Sequence, residues 1–174
     1  MKTKNLFLAL TLFMAFVQMS RGALDAYFRA DGISGDVTRS GYTNYVAVSG
    51  YNHEVNMVRD SNGQPTGSRQ HGPFKILKDI SGNSPQFVEL MVRNRTIETA
   101  DLLLYKSAIS GTETNYYSYH FEGVRILSIR NWSPNNNDAT AVKYLPMEEI
   151  TFTYQTIHWE SLSSGNTATD TQKN

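Results

Sequence analysis

Cysteine is absent from the 174-residue chain. That excludes disulfides, thiolate metal sites and a thiol nucleophile, and it argues against a lipid anchor on cysteine. A surplus of one charge is also missing, since 16 Lys and Arg face 16 Asp and Glu. Binding to phosphate backbones needs clustered cations. Here they are spread thinly, so no nucleic-acid partner is expected. No apolar run approaches the roughly 20 residues of a membrane-spanning helix. The motifs of familiar enzymes are lacking as well: there is no His-Glu-x-x-His, no Gly-x-Ser-x-Gly elbow and no phosphate-binding glycine loop.

The longest apolar run, Leu6 to Val17, is broken only by Thr11. It follows Lys2 and Lys4 and precedes Ser20-Arg21-Gly22. This is the layout of a secretory leader over residues 1–22, with cleavage expected between Gly22 and Ala23. An uncleaved membrane anchor is the alternative. Cleavage would remove three of the basic residues and no acidic one, leaving a net charge of −3. The expected location is secreted or periplasmic, with no membrane contact after leader removal. If the leader is not used, the chain would work in the cytoplasm.

From Ala26 to Gln155 the pattern is that of strands. Tyr, Phe, Val, Ile and Thr are frequent and often alternate with polar residues. Strands are expected at about 26–31, 44–57, 73–80, 97–107, 116–131 and 147–160. Gly123 reads as a bulge or a point of close backbone approach within the long strand. In the last strand Ile150, Phe152 and Tyr154 share one phase, while Ile157 and Trp159 take the other. A strand has a period of two, so a phase change at Gln155-Thr156 predicts a bulge or sharp bend. One helix is predicted, with Ser84 as N-cap, Pro85 as first helical residue, and Phe87, Leu90 and Met91 on one face. Arg59 to Ser68 is polar and rich in turn formers, so it reads as a long exposed loop. Residues 161–174 are mostly Ser, Thr, Asn and charged residues and read as a disordered tail.

The fold class is therefore all-β with one short helix. About six or seven strands bend enough to form a small closed barrel, which avoids leaving sticky sheet edges. Residues 23–160 make up that domain.

Little catalytic chemistry is legible. His120 and Glu122 share a strand face, as do His158 and Glu160, so a His–carboxylate pair is conceivable for either. Such pairs are more often plain surface hydrogen bonds. Glu148 and Glu149 fall on opposite faces, the wrong arrangement for a paired acid and base. No enzyme, cofactor or metal is expected. The tyrosines Tyr116, Tyr117 and Tyr119 suit barrel packing or a subunit interface; lining a sugar or small-ligand cleft is the alternative.

The stretches Ala23 to Phe28 with Asp31 to Gly35, Arg69 to Phe74, Lys78 to Ile80 with Ser84-Pro85, and Glu148 to Tyr154 with Ile157-His158-Trp159 form a series. Taken in order, they resemble the type VI secretion tube family, hemolysin-coregulated protein (Hcp). Each is weak alone, and their order and spacing carry the likeness. The resemblance implies a barrel with one side helix, six copies in a ring, and rings stacked into a tube. Its implied partners are further copies of itself, a spike, a contracting sheath and effectors carried inside. It also implies that the segment around Arg59, Asp60, Gln64 and Arg69 reaches neighbouring subunits. Without it, that segment reads as an ordinary solvated loop. A leader is a departure from the family, whose tube is built in the cytoplasm. A secreted monomeric barrel binding a small molecule or carbohydrate is the competing reading.

Overall fold

A computed structural model describes residues 24–38, 40–107, 113–133 and 145–172. The expected leader and the Gly22–Ala23 junction lie outside the described residues. The strands are β1 (Leu24–Ala30), β2 (Val46–Val48), β3 (Gly50–Asn52), β4 (Val55–Arg59), β5 (Pro65–His71), β6 (Phe74–Asp79), β7 (Ile97–Ser107), β8 (Glu113–Trp132), β9 (Met147–Thr153), β10 (Thr156–Ser161) and β11 (Asn166–Thr171). One helix, α1 (Ser84–Val92), lies between β6 and β7.

All described pairings are antiparallel, and the main sheet runs β2-β1-β7-β8-β9-β6-β3. Its two end strands, β2 and β3, are consecutive in the chain and separated only by Ser49. The Ser49 N–H donates to the Leu77 carbonyl at 2.7 Å. The segment 46–52 thus pairs with β1 through its first half and β6 through its second. It brings the two ends of the sheet together around one core, in a barrel-like shape.

The core is a column of phenyl rings. Phe74, Phe121 and Phe152 are 0–1% exposed. Their centroids lie 4.8 to 5.3 Å apart, mostly edge to face, the geometry that ring quadrupoles favour. Phe28 and Phe87 extend the column toward α1. Ile76, Leu102, Ile150 and Ile157 fill the space between them. With the interior occupied by side chains, a ligand held inside the barrel has no evident room, which weighs against the monomeric ligand-binding reading.

β8 holds the two halves together. Its first half pairs with β7 and β10, and its second half pairs with β9. The change occurs at Gly123, which has φ +64°. On the facing chain the Gln155 N–H donates to the Glu122 carbonyl at 2.9 Å. Tyr154 and Ile157 are both buried, so the phase change falls at the bend between β9 and β10.

Three expectations need correction. Arg59–Ser68 is not one long loop: only residues 60–64 form a turn, and residues 65–71 form β5, which pairs with β4 in a separate two-stranded hairpin. Its strands lack alternation because almost every residue in them is exposed, so no buried face selects apolar side chains. Within the stretch 161–174 read as a disordered tail, 166–171 form β11 against β10, and residues 173 and 174 lie outside the described residues. A turn closed by Gly165 at φ +70°, whose N–H donates to the Ser161 carbonyl at 2.7 Å, joins the two strands. Thr-rich strands suit an exposed edge. Finally, the helix N-cap is Asn83 rather than Ser84. The Ser84 hydroxyl instead donates to Glu148 at 2.6 Å.

Candidate functional site

The β4–β5 hairpin projects from the barrel as an arm. Its tip is built by local chemistry. Asp60 Oδ1 accepts the N–H groups of Asn62 and Gln64 at 2.9 and 2.8 Å. Gly63 adopts φ +79°, and its carbonyl accepts from Arg59 Nη1 at 2.8 Å. An aspartate capping its own turn and a glycine in the left-handed region are standard turn devices. Val55, Met57 and Val58 on the arm are each exposed by 43–44%.

An isolated two-stranded hairpin is marginally stable in water, so the base of this one must be fixed. A chain of side chains does this. His53, just before β4, bonds through Nε2 to the Tyr154 hydroxyl at 2.6 Å. His71, at the end of β5, bonds through Nδ1 to the same hydroxyl at 2.8 Å. Its other nitrogen, Nε2, lies 2.8 Å from Asp170 Oδ2 on β11. Arg69 forms a bidentate pair with the same Asp170 carboxylate. The rings of Phe74 and Trp159 pack against His53 at 5.0 and 6.2 Å.

The proton positions follow from the partners. An ionised carboxylate only accepts, so His71 Nε2 carries a hydrogen; in the single-proton tautomer this leaves Nδ1 to accept from the Tyr154 O–H. The tyrosine oxygen then accepts from His53 Nε2–H and shares a further side-chain bond with Gln172. Arg69, and secondarily His71, hold the Asp170 carboxyl down at about 2. Burial, aided by the neighbouring His71, pushes the His53 imidazole down to about 4. Burial raises the Tyr154 hydroxyl above its ordinary range, with the Gln172 bond acting in the opposite sense.

This arrangement ties both ends of the hairpin to the barrel. Among the described residues, no group of three His, Cys, Asp or Glu side chains could hold a metal ion. The in-strand His–carboxylate pairs conceivable from sequence have cross-strand partners instead. His120 bonds Asp101 at 2.6 Å, and His158 lies 3.7 Å from Glu122 while bonding Thr169 at 2.7 Å.

The family described as "Type VI secretion system effector, Hcp" matches residues 27–160. The chain belongs to the Hcp family. It is 28% identical over 164 residues to the "Major exported protein" of Pseudomonas aeruginosa, covering 94% of this chain and 95% of that one. In fold it is similar to a crystal structure of an Hcp protein, with TM-score 0.77 and 18% identity over 88% of this chain and 99% of the other. It is also similar to the secreted protein Hcp3 of Pseudomonas aeruginosa, with TM-score 0.67 and 22% identity over 87% and 100% of the two chains.

On this Hcp fold, the four residues singled out in the sequence fall at two places. Arg59, Asp60 and Gln64 cluster at the tip of the arm, two of them shaping its turn. Arg69 lies nearer the base and is paired within the chain to Asp170. Sequence reasoning missed the base itself. His53 and His71 show no ligand or catalytic spacing, and Asp170 lies in a segment read as tail. The one pointer was the phase change beside Tyr154, which marks where the chain turns its hydroxyl toward the arm.

Proposed function

We propose that this Hcp protein is a structural subunit that assembles into six-membered rings stacking as the inner tube of a type VI secretion apparatus. It would carry or escort effectors and catalyse no reaction. The observation that carries this reading is the arm, whose strands are exposed almost throughout and present Val55, Met57 and Val58 to solvent. An exposed apolar hairpin is a liability in a monomer and an asset in an assembly. A head-to-tail contact that closes gives a ring, and an axial contact that cannot close gives a filament. In this reading Arg59, Asp60 and Gln64 meet a neighbouring copy, and Arg69 holds the arm in register through Asp170. Spike, sheath and effectors are the further partners. Residues 1–22 have the layout of an export leader cut between Gly22 and Ala23: a cleaved copy would assemble outside the cytoplasm, and a copy whose leader is not used would join a tube built in the cytoplasm.

The test is a charge placed on the arm. In the full-length chain Met57→Glu should leave the fold intact, since the side chain is 44% exposed, and should abolish rings in negative-stain images. Unchanged rings would remove the arm from the interface.

A further inference from the structure

The base of the arm is saturated by one hydroxyl, and this has a consequence for assembly. A tyrosine oxygen has one hydrogen to give and two lone pairs to fill. Here the hydrogen goes to His71 Nδ1, one lone pair takes His53 Nε2–H, and Gln172 supplies the remaining side-chain bond. Both roots of the arm therefore end on the same atom. His53 leads into β4 and His71 closes β5. Backbone support at the root is slight: the Gly72 N–H donates to the Glu54 carbonyl at 2.9 Å. β4 and β5 form a sheet of their own, without a described ladder to the barrel.

We propose that His53, Tyr154 and His71 form an acid-sensitive latch that tightens the base of the arm against the barrel at neutral pH and loosens it in mild acid, with the Arg69–Asp170 pair remaining as a tether. The partner it controls is a second copy of this chain, so the proposal rests on the reading of the arm as the assembly element.

The titratable and charged groups facing the latch come from several elements. Glu54 lies on the approach to β4, where its carboxylate accepts from Asn56. Arg69 and His71 belong to β5, Tyr154 sits at the β9–β10 bend, and Asp170 comes from β11. Phe74 of β6 and Trp159 of β10 are uncharged and close the site around His53. Asp170 is committed to Arg69 and His71, and the hydrogen bond of His53 goes to the Tyr154 hydroxyl rather than to a carboxylate. A proton on His53 puts a cation between aromatic walls, 6.0 Å from the second imidazole. Released into water, His53 regains its ordinary affinity for protons.

The direction follows from that difference. The free imidazole protonates near pH 6.5, whereas in the latch it stays neutral down to about 4. The latched state binds fewer protons, so falling pH favours loosening, beginning near 6.5 and saturating near 4. Partial exposure of the site tempers the effect. By pH 5 the ratio of loosened to latched arms should rise at least about tenfold.

The experiment is hydrogen exchange on the full-length chain at pH 7.5 and 5.0, corrected for the intrinsic pH dependence of exchange. Amides of residues 55–71 report on the arm, and those of β7 and β8 report on the barrel. The arm should lose protection in acid by about tenfold or more while the barrel keeps its own. His53→Gln retains an N–H for Tyr154 but cannot titrate, so its arm should stay protected at pH 5. Tyr154→Phe should lose arm protection at both pH values. Should it unfold, as barrel exchange would reveal, His53→Gln still decides the matter. Equal arm protection at the two pH values, or the same acid loss in His53→Gln, would overturn the latch. Exchange is read on the arm itself and does not depend on rings. A failure of the assembly reading would show separately, as Met57→Glu leaving rings unchanged at pH 7.5.

Discussion

Lys78 and Glu148 meet at 2.6 Å with side chains 1% and 0% exposed, at the point where α1 packs onto the barrel. The lysine ammonium also reaches the Asp79 carbonyl at 2.7 Å and the hydroxyls of Ser81 and Ser84 at 3.2 and 3.3 Å. The ring of Phe87 lies 5.9 Å away. The second carboxylate oxygen of Glu148 and the amide nitrogen of Asn83 are buried without a partner. A desolvated ion pair adds little net stability, yet removing one member strands the other.

Lys78→Met should therefore destabilise the protein by about 3–5 kcal/mol. Lys78→Met with Glu148→Leu should recover most of that loss. Urea unfolding of the three proteins checks this. A double variant as weak as the single one would mean that the pair also supports α1 through Ser84.

Gly123 sets the bend of β8. A Cβ there would lie 2.7 Å from the Gln155 side chain, on a backbone at φ +64°. Gly123→Ala should cost about 1–2 kcal/mol. Because Gln155 is flexible at its end, Gly123→Ala combined with Gln155→Ala should relieve the contact but keep the backbone strain. Thermal unfolding of both variants separates the two contributions.

Stability should fall with pH through two windows. The His53 imidazole sits at about 4 in the folded chain against an ordinary 6.5. Its neutral form is favoured by folding, so that contribution is lost as pH drops from 6.5 to about 4. The Asp170 carboxyl sits at about 2 against 3.8. Its contribution is present above 3.8 and is lost as pH falls toward 2. Urea midpoints measured from pH 8 to pH 2.5 should decline in both ranges. His53→Gln should flatten the upper one alone.

The tip of the arm depends on Asp60. Asp60→Ala removes the acceptor for the Asn62 and Gln64 N–H groups. Exchange at residues 60–64 should speed up, while the urea midpoint should hardly move because the turn is exposed and local. A large change in the midpoint would mean that the arm is more tightly coupled to the barrel than its geometry indicates.

What was legible beforehand follows from burial. The strands β1, β6, β7, β8 and β9 have one face in the core, so residues such as Phe74 and Ile76 carry an alternation that can be read. The bend at Gln155 was legible for the same reason, since Ile150, Phe152 and Ile157 must all reach the interior. β5 and β11 bury almost nothing, and Pro65 to His71 and Asn166 to Thr171 carry no such pattern. Their pairing is set by turns at Gly63 and Gly165 and by Arg69, His71 and Asp170 meeting across the fold. A contact between residues 101 positions apart, as for Arg69 and Asp170, leaves no local trace in a single sequence. The N-cap was misplaced by one residue because Ser84 has the right chemistry for a cap and spends it on Glu148.

A tube subunit must self-assemble. The most direct measurement is sedimentation velocity of the full-length protein at pH 7.5 over a wide concentration range, with negative-stain images of the same samples. A discrete species of six copies, seen as rings or stacked cylinders, is the predicted result. A single monomeric species at every concentration would contradict it.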